Sequence, residues 1–332
     1  MTLPRQILPG QTYLLTRRCS ERRFLLRPDA KGEVTQAFLY CLGLAAERHG
    51  VEVSAVCALA NHHHLVVHDP RGELPRFAQQ FHGNVARALN ALHGRGEAFW
   101  STGTSYSAVR CEDRAAVLER LVYTITNVVA AGLVERPEDW PGICALPEDV
   151  GVRVIEVERP SFFFSQEAVD EEEDGDAETA RDRARRRAPP REPLPERVRL
   201  PITKPREFAD LSDEEFRKLL RQHVDARLAE IRAERAKQGK TRWLGADAVR
   251  GQDPLDAPAG GTFPEGGLNP RIACADRWKR AERLGALVAF WREHHAARLA
   301  LRAGDRGAVF PVGTWSAVRV YGARAAPASA AA

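Results

Sequence analysis

Over its first half the chain alternates between two hydrophobic periods. Tyr13-Leu14-Leu15-Thr16-Arg17-Arg18-Cys19 reads as a strand. From Glu33 to His49, the residues Val34, Ala37, Phe38, Cys41, Leu42 and Ala45 recur at helical spacing, and Gly50 supplies the stop. Val51 to Leu59 is β-rich, and after Ala60-Asn61 the run His62 to Val67 extends again, so the two form a predicted hairpin. A second helix over Leu74 to Leu92 carries Phe77, Phe81, Val85, Ala88 and Leu92 on one stripe. A short strand, Ser105 to Cys111, precedes a helix from Arg114 to Ala131 closed by Gly132. The order β-α-β-β-α-β plus one helix predicts an α+β, ferredoxin-like (RRM-like) fold, an antiparallel sheet with helices on one face. The other face is left for a site, and the extra helix is available to cover it.

Beyond residue 150 the pattern changes. The segment 151–205 holds an acidic run, Asp170 to Glu178, and an Arg- and Pro-rich run, Arg181 to Pro195, and is expected to be a charged, disordered linker. Residues 206–322 predict a mostly helical extension. Ser212 to Glu215 forms a capping box for a helix striped by Phe216, Leu219, Leu220, Val224, Leu228 and Ile231. Residues 245–270 read as a long loop, Arg277 to Leu301 as an amphipathic helix, Phe310 to Tyr321 as strand, and 323–332 as a disordered tail.

Composition sharpens this only locally. The 332 residues are 44% hydrophobic and 28% charged with a net charge of +4, ordinary proportions for a globular protein. Residues 151–180 carry 2 basic and 10 acidic side chains and residues 181–250 carry 20 and 12, so the basic excess follows an acidic block. Six scattered cysteines without a C-x-x-C pair read as reduced, buried thiols. With no signal-peptide pattern and no apolar run of the roughly 18–20 residues a membrane span needs, a cytoplasmic protein is expected.

The chemistry concentrates in Asn61-His62-His63-His64-Leu65-Val66-Val67-His68. On a strand His62 and His64 share a face about 7 Å apart while His63 points the other way. Two neutral imidazoles on a rigid strand make half of a divalent-metal site. Three adjacent histidines are equally read as an exposed accident. Tyr123 and Asn127 stand at i and i+4 on the last helix and so share a face. Phenols ionise only near pH ~10 and need activation to act as nucleophiles. An amide oxygen at Asn127 can serve a hard ion. A tyrosine buried with a local hydrogen bond is the competing reading. Arg17, Arg18, Arg22 and Arg23 place four guanidinium groups in seven residues, either a phosphate-binding patch or a solvated turn.

These pieces, in this order, resemble the REP-associated tyrosine transposases, single-tyrosine members of the HUH endonuclease superfamily. The resemblance spans about residues 8–146, within a domain expected over 8–150, and rests on Tyr13 to Arg18, Cys57 to Val66, Ala98-Phe99-Trp100, Tyr123 to Val134 and Pro137-Glu138-Asp139-Trp140-Pro141. Val128 and Ala130 depart from the family's usual Pro and Arg, with consequences for helix shape and phosphate contact. The resemblance implies that His62, His64 and Asn127 hold Mg²⁺ or Mn²⁺ and that Tyr123 is the nucleophile. The implied activity is DNA transposition: cleavage of single-stranded DNA at palindromic or hairpin elements through a 5′-phosphotyrosine intermediate and a 3′-OH, followed by rejoining. Two other readings compete, a domesticated DNA-hairpin binder that no longer cuts and a cytosolic zinc hydrolase. The implied partner is single-stranded or hairpin DNA, with monomer and homodimer both open.

Overall fold

The computed structural model describes residues 3–102, 105–162, 194–259 and 270–327. The first half contains β1 (Gln11–Arg18), α1 (Glu33–His49), β2 (Glu52–Ala58), β3 (His62–Asp69), α2 (Leu74–Leu92), β4 (Ser107–Cys111) and α3 (Arg114–Ala130). The strands lie in the order β2-β3-β1-β4, each pair antiparallel, which is the expected ferredoxin-like arrangement. Both faces of the sheet are covered. Helices α1 and α2 pack together on one, with Phe38 edge-on to Phe81 at 5.1 Å, and α3 lies across β2 and β3 on the other. Double coverage explains why β2 and β3 are buried almost end to end instead of alternating.

Local chemistry sets the boundaries of α3. Asp113 caps its start by accepting from the Ala116 amide at 2.7 Å. Gly132, at φ 74°, ends it, with Leu133 N–H donating to Val128 O and Gly132 N–H to Val129 O in a left-handed cap. The helix runs without a break through Val128, where the family's proline would stand.

The edges of the expected linker are structured. Strands β5 (Val154–Glu158) and β6 (Arg197–Pro201) pair antiparallel, so 151–205 is not linker throughout. Charge content masks a period of two: Val198 and Leu200 point inward while Arg197 and Arg199 point outward to Glu158 and Glu156. Val157 and Val198 pack on Tyr40 and Leu44 of α1. The acidic and Arg-rich runs between these strands fall largely outside the described residues.

The described part of the C-terminal half is mostly helical. Helix α4 (Asp213–Lys237) has the expected capping box and buries Phe216, Leu220, Val224, Leu228 and Ile231, packing along α3. A short helix, α5 (Ala246–Arg250), interrupts the expected loop. Strand β7 (Ile272–Ala273) joins the sheet parallel to β4, and α6 (Arg277–Arg302) follows. The strand expected over Phe310 to Tyr321 is not formed. Instead β8 (Val309–Phe310) is followed by Gly313 at φ 88° and by α7 (Ser316–Arg319), because the left-handed glycine turns the chain. Within the expected tail, β9 (Arg324–Ala325) pairs with β8, and 328–332 lie outside the described residues. All six cysteines are free thiols, and no described helix is long and apolar enough to cross a membrane.

Gly43 on α1 lets the β5–β6 ribbon approach: a Cβ there would lie 2.9 Å from Val198 Cγ2. Gly43→Val is expected to destabilise by about 1–3 kcal/mol through overpacking, read as a lower urea midpoint. An unchanged midpoint would show that the ribbon does not pack on α1.

Candidate active site

The β1–β3 register places Thr16 opposite His64, Arg17 opposite His63 and Arg18 opposite His62. Side chains alternate from there. His62 and His64 face α3 with ring centroids 4.9 Å apart, and the Tyr123 ring stands edge-on to His64 at 5.0 Å. Tyr123 is 42% exposed, so its hydroxyl is within reach of a substrate. Asn127, one turn on, is buried, and Ala131, a further turn on, lines a cleft together with His62. The stripe Tyr123–Asn127–Ala131 therefore runs beside the histidine pair.

Each imidazole is fixed through Nδ1. Asn61 accepts from His62 Nδ1 at 2.7 Å through Oδ1, and its Nδ2 donates to the Arg22 carbonyl at 3.0 Å. Thr16 Oγ1 lies 2.9 Å from His64 Nδ1. With the proton on Nδ1, each Nε2 presents a lone pair, the arrangement in which metal-binding histidines are held by outer partners. His64 Nε2 is buried with no hydrogen-bond partner. Leaving a buried polar atom unpaired costs about 1–3 kcal/mol, so this nitrogen fits a ligand donor better than a packing atom. Burial, helped by Arg18, pushes the His62 pKa down to about 4, and burial with the neighbouring imidazoles holds His64 well below the usual range. Both are neutral at pH 7, the state a cation requires.

Among the described residues no third His, Cys, Asp or Glu joins the pair to hold an ion. Catalytic zinc sites call on a third His or carboxylate; Asn127, on the α3 stripe that passes the pair, carries an amide oxygen of the kind suited to Mg²⁺ or Mn²⁺.

The arginine patch divides. Arg18 and Arg22 line a cleft of about 370 Å³ with Asn61, His62, Leu133 and Gln252. Arg22 sits in a turn where Glu21 and Arg22 both have positive φ, 53° and 61°, held by the Asn61 bond to its carbonyl. Arg23 pairs with Glu21 at 2.6 Å. Arg17 does not belong with them: strand alternation sends it to the opposite face, beside Trp100. His63 likewise lies on that face, buried among Phe38, Phe81, His82 and Trp100, with its Nε2 2.9 Å from His82 Nε2.

Sequence pattern alone does not single out Thr16, Asn61, Leu133 or Gln252. Two of them do carry a local signal: Thr16 is the β1 residue two before Arg18 and hence on its face, and Asn61 stands directly before His62. Gln252 carries none, because it arrives from the far end of the chain.

Histidine ring signals in NMR are expected to show His62 titrating near pH 4 and His64 well below its ordinary range. Because their folded pKa values lie below the unfolded 6.5, the unfolded chain binds more protons between pH 6.5 and about 4, and stability is lost as the pH falls through that window. Midpoints near 6.5 would mean that the pair is solvated.

No family model matches the chain, and no curated protein matches it. Among solved structures it is similar to a REP-associated tyrosine transposase bound to a REP hairpin, at 16% identity and TM-score 0.37, over 45% of this chain and 84% of the other. It is also similar to a protein described as a transposase from Deinococcus radiodurans, at 22% identity and TM-score 0.26, over 33% and 85%. The resemblance to REP-associated tyrosine transposases rests on this chain's own motifs and on the site into which they fold.

Proposed function

We propose that this chain is a REP-associated-type tyrosine transposase, an HUH endonuclease and strand transferase acting on single-stranded DNA at palindromic or hairpin elements. The observation that carries this reading is the exposed Tyr123 ring against two neutral, oriented histidines, one with a buried and unpaired Nε2. Arg18 and Arg22 beside His62 supply positive charge where a DNA backbone would run.

His62, His64 and the Asn127 amide oxygen are the residues that would hold Mg²⁺ or Mn²⁺. Such an ion supplies Lewis-acid polarisation of a phosphoryl oxygen. Helix α3 holds the Tyr123 oxygen at the mouth of the site. That oxygen attacks phosphorus, and the bond from phosphorus to the 3′-oxygen breaks. The phenolic proton passes to solvent, and the departing 3′-oxygen takes one up. The products are a 5′-phosphotyrosine link and a free 3′-OH. Attack by a 3′-OH on the phosphotyrosine reverses the exchange and rejoins DNA with the number of ester bonds conserved, so no nucleotide is consumed. Asn61 and Thr16 act as positioning residues for the histidines.

Incubation with end-labelled single-stranded DNA carrying a palindrome and its flanks, in Mn²⁺, is expected to give a covalent protein–DNA adduct that Tyr123→Phe abolishes while DNA affinity is retained. Binding with no adduct in the wild type would favour a domesticated hairpin binder, and an adduct that survives the substitution would assign the nucleophile elsewhere.

Asn61→Ala frees His62 Nδ1 from its acceptor and is expected to weaken Mn²⁺ binding by about 10–100-fold, the usual effect of losing an outer partner, followed by EPR titration. Unchanged affinity would remove Asn61 from the site.

A further inference from the structure

Directly behind the histidine pair, across the thickness of the sheet, Arg17 meets two arginines from distant parts of the chain. Arg5 lies with its guanidinium 3.9 Å above the Tyr106 ring and donates to the Tyr106 carbonyl. Arg17 lies over Trp100, at 5.4 Å from the ring centre. Arg271 precedes β7, and its backbone carbonyl accepts from the Arg110 amide. All three are half-buried.

None of the three has a carboxylate partner among the described residues. Arg5 Nε, Arg17 Nε and Arg271 Nη1 are buried with no hydrogen-bond partner. Burial lowers the pKa of both Arg17 and Arg271, and each feels Arg5 as a neighbouring like charge. The nearby carboxylate Glu112 is already taken, by Arg110 and by Arg283 at 3.4 Å. A chain that pairs those two arginines yet leaves the three guanidinium groups around Tyr106 without a counter-charge presents an anchor for an anion. Guanidinium forks match the oxygens of a phosphate in geometry as well as charge.

We infer that Arg5, Arg17 and Arg271, around Tyr106, form a second nucleic-acid site that grips a backbone phosphodiester of single-stranded DNA on the face of the sheet opposite Tyr123. This rests on the proposed DNA activity and extends it. Arg17 stands between Thr16 and Arg18, both on the catalytic face. A strand that passes His62 and rounds the ends of β1 and β4 therefore meets the three arginines next, with the buried Tyr106 and Trp100 rings seating the Arg5 and Arg17 guanidinium groups. The site joins the N-terminal segment and the C-terminal extension to one strand of DNA, which gives the extension a role in holding substrate.

The test is binding of a fluorescein-labelled 20-nucleotide oligothymidylate to the full chain across a salt series. The triple variant Arg5→Gln, Arg17→Gln, Arg271→Gln is expected to bind at least about tenfold more weakly. Its plot of log affinity against log salt is expected to flatten by about 0.7 for each phosphate that the protein no longer neutralises. The triple variant Arg5→Lys, Arg17→Lys, Arg271→Lys is expected to keep the wild-type slope, because the counted quantity is charge. Arg271→Gln alone, expected to fold if the triple does not, gives the same flattening for one phosphate. A wild-type slope in the Gln variants, or a Lys variant as flat as the Gln variant, would overturn the site. Loss of slope with no Tyr123-dependent adduct in the wild type would instead sink the catalytic reading and leave this site standing. No binding by the wild type would sink both.

Discussion

Everything at the candidate site hangs on one antiparallel register, β1 against β3. It sets Thr16 beside His64 and Arg18 beside His62, so a hydroxyl fixes one imidazole and a cation borders the other. A slip of one residue would carry His63 into the site and turn His62 and His64 toward Phe38 and Phe81 instead. The register is marked by side-chain bonds that a slip would separate, Thr12 Oγ1 to His68 Nδ1 at 3.0 Å and Thr16 Oγ1 to His64 Nδ1 at 2.9 Å, between fully buried Leu15, Leu65, Val66 and Val67. Core packing and site geometry are thus the same constraint seen from two directions.

The same burial tunes the chemistry. Desolvation keeps the His62 and His64 imidazoles neutral, while Asn61 and Thr16 direct the lone pairs. On the other face, burial lowers the pKa of Arg17 and Arg271, groups that keep their charge beside Arg5. In the proposed reading, one sheet separates a surface for a cation from one for a phosphate. Helix α3 closes the first surface, and α4 packed along it, with the Gly132 cap, fixes where Tyr123 stands.

Much of this is legible in the residue pattern, for reasons that also explain the failures. Strand parity separates His62 and His64 from His63, and the i, i+4 spacing puts Tyr123 and Asn127 together, because both follow from local backbone geometry alone. Closeness in sequence groups Arg17 with Arg18, Arg22 and Arg23, against the parity of its own strand. The β5–β6 ribbon is hidden by the charge of its outward residues. Contacts of high sequence separation leave no local mark: Gln252 in the cleft, and Arg5 and Arg271 converging on Tyr106. The short β8 and β9 strands lie beyond any periodic signal, since two residues cannot show a period.

The central claim is that the Tyr123 oxygen forms the covalent bond to DNA. Peptide mapping by mass spectrometry, after reaction with a palindromic single-stranded oligonucleotide in Mn²⁺ and digestion with nuclease and trypsin, tests it most directly. The peptide from Leu121 to Arg153, uncut at the Arg136-Pro137 bond, is expected to carry a nucleotide 5′-phosphate on Tyr123. A nucleotide attached to any other residue, or a peptide that stays unmodified while DNA is cut, would contradict it.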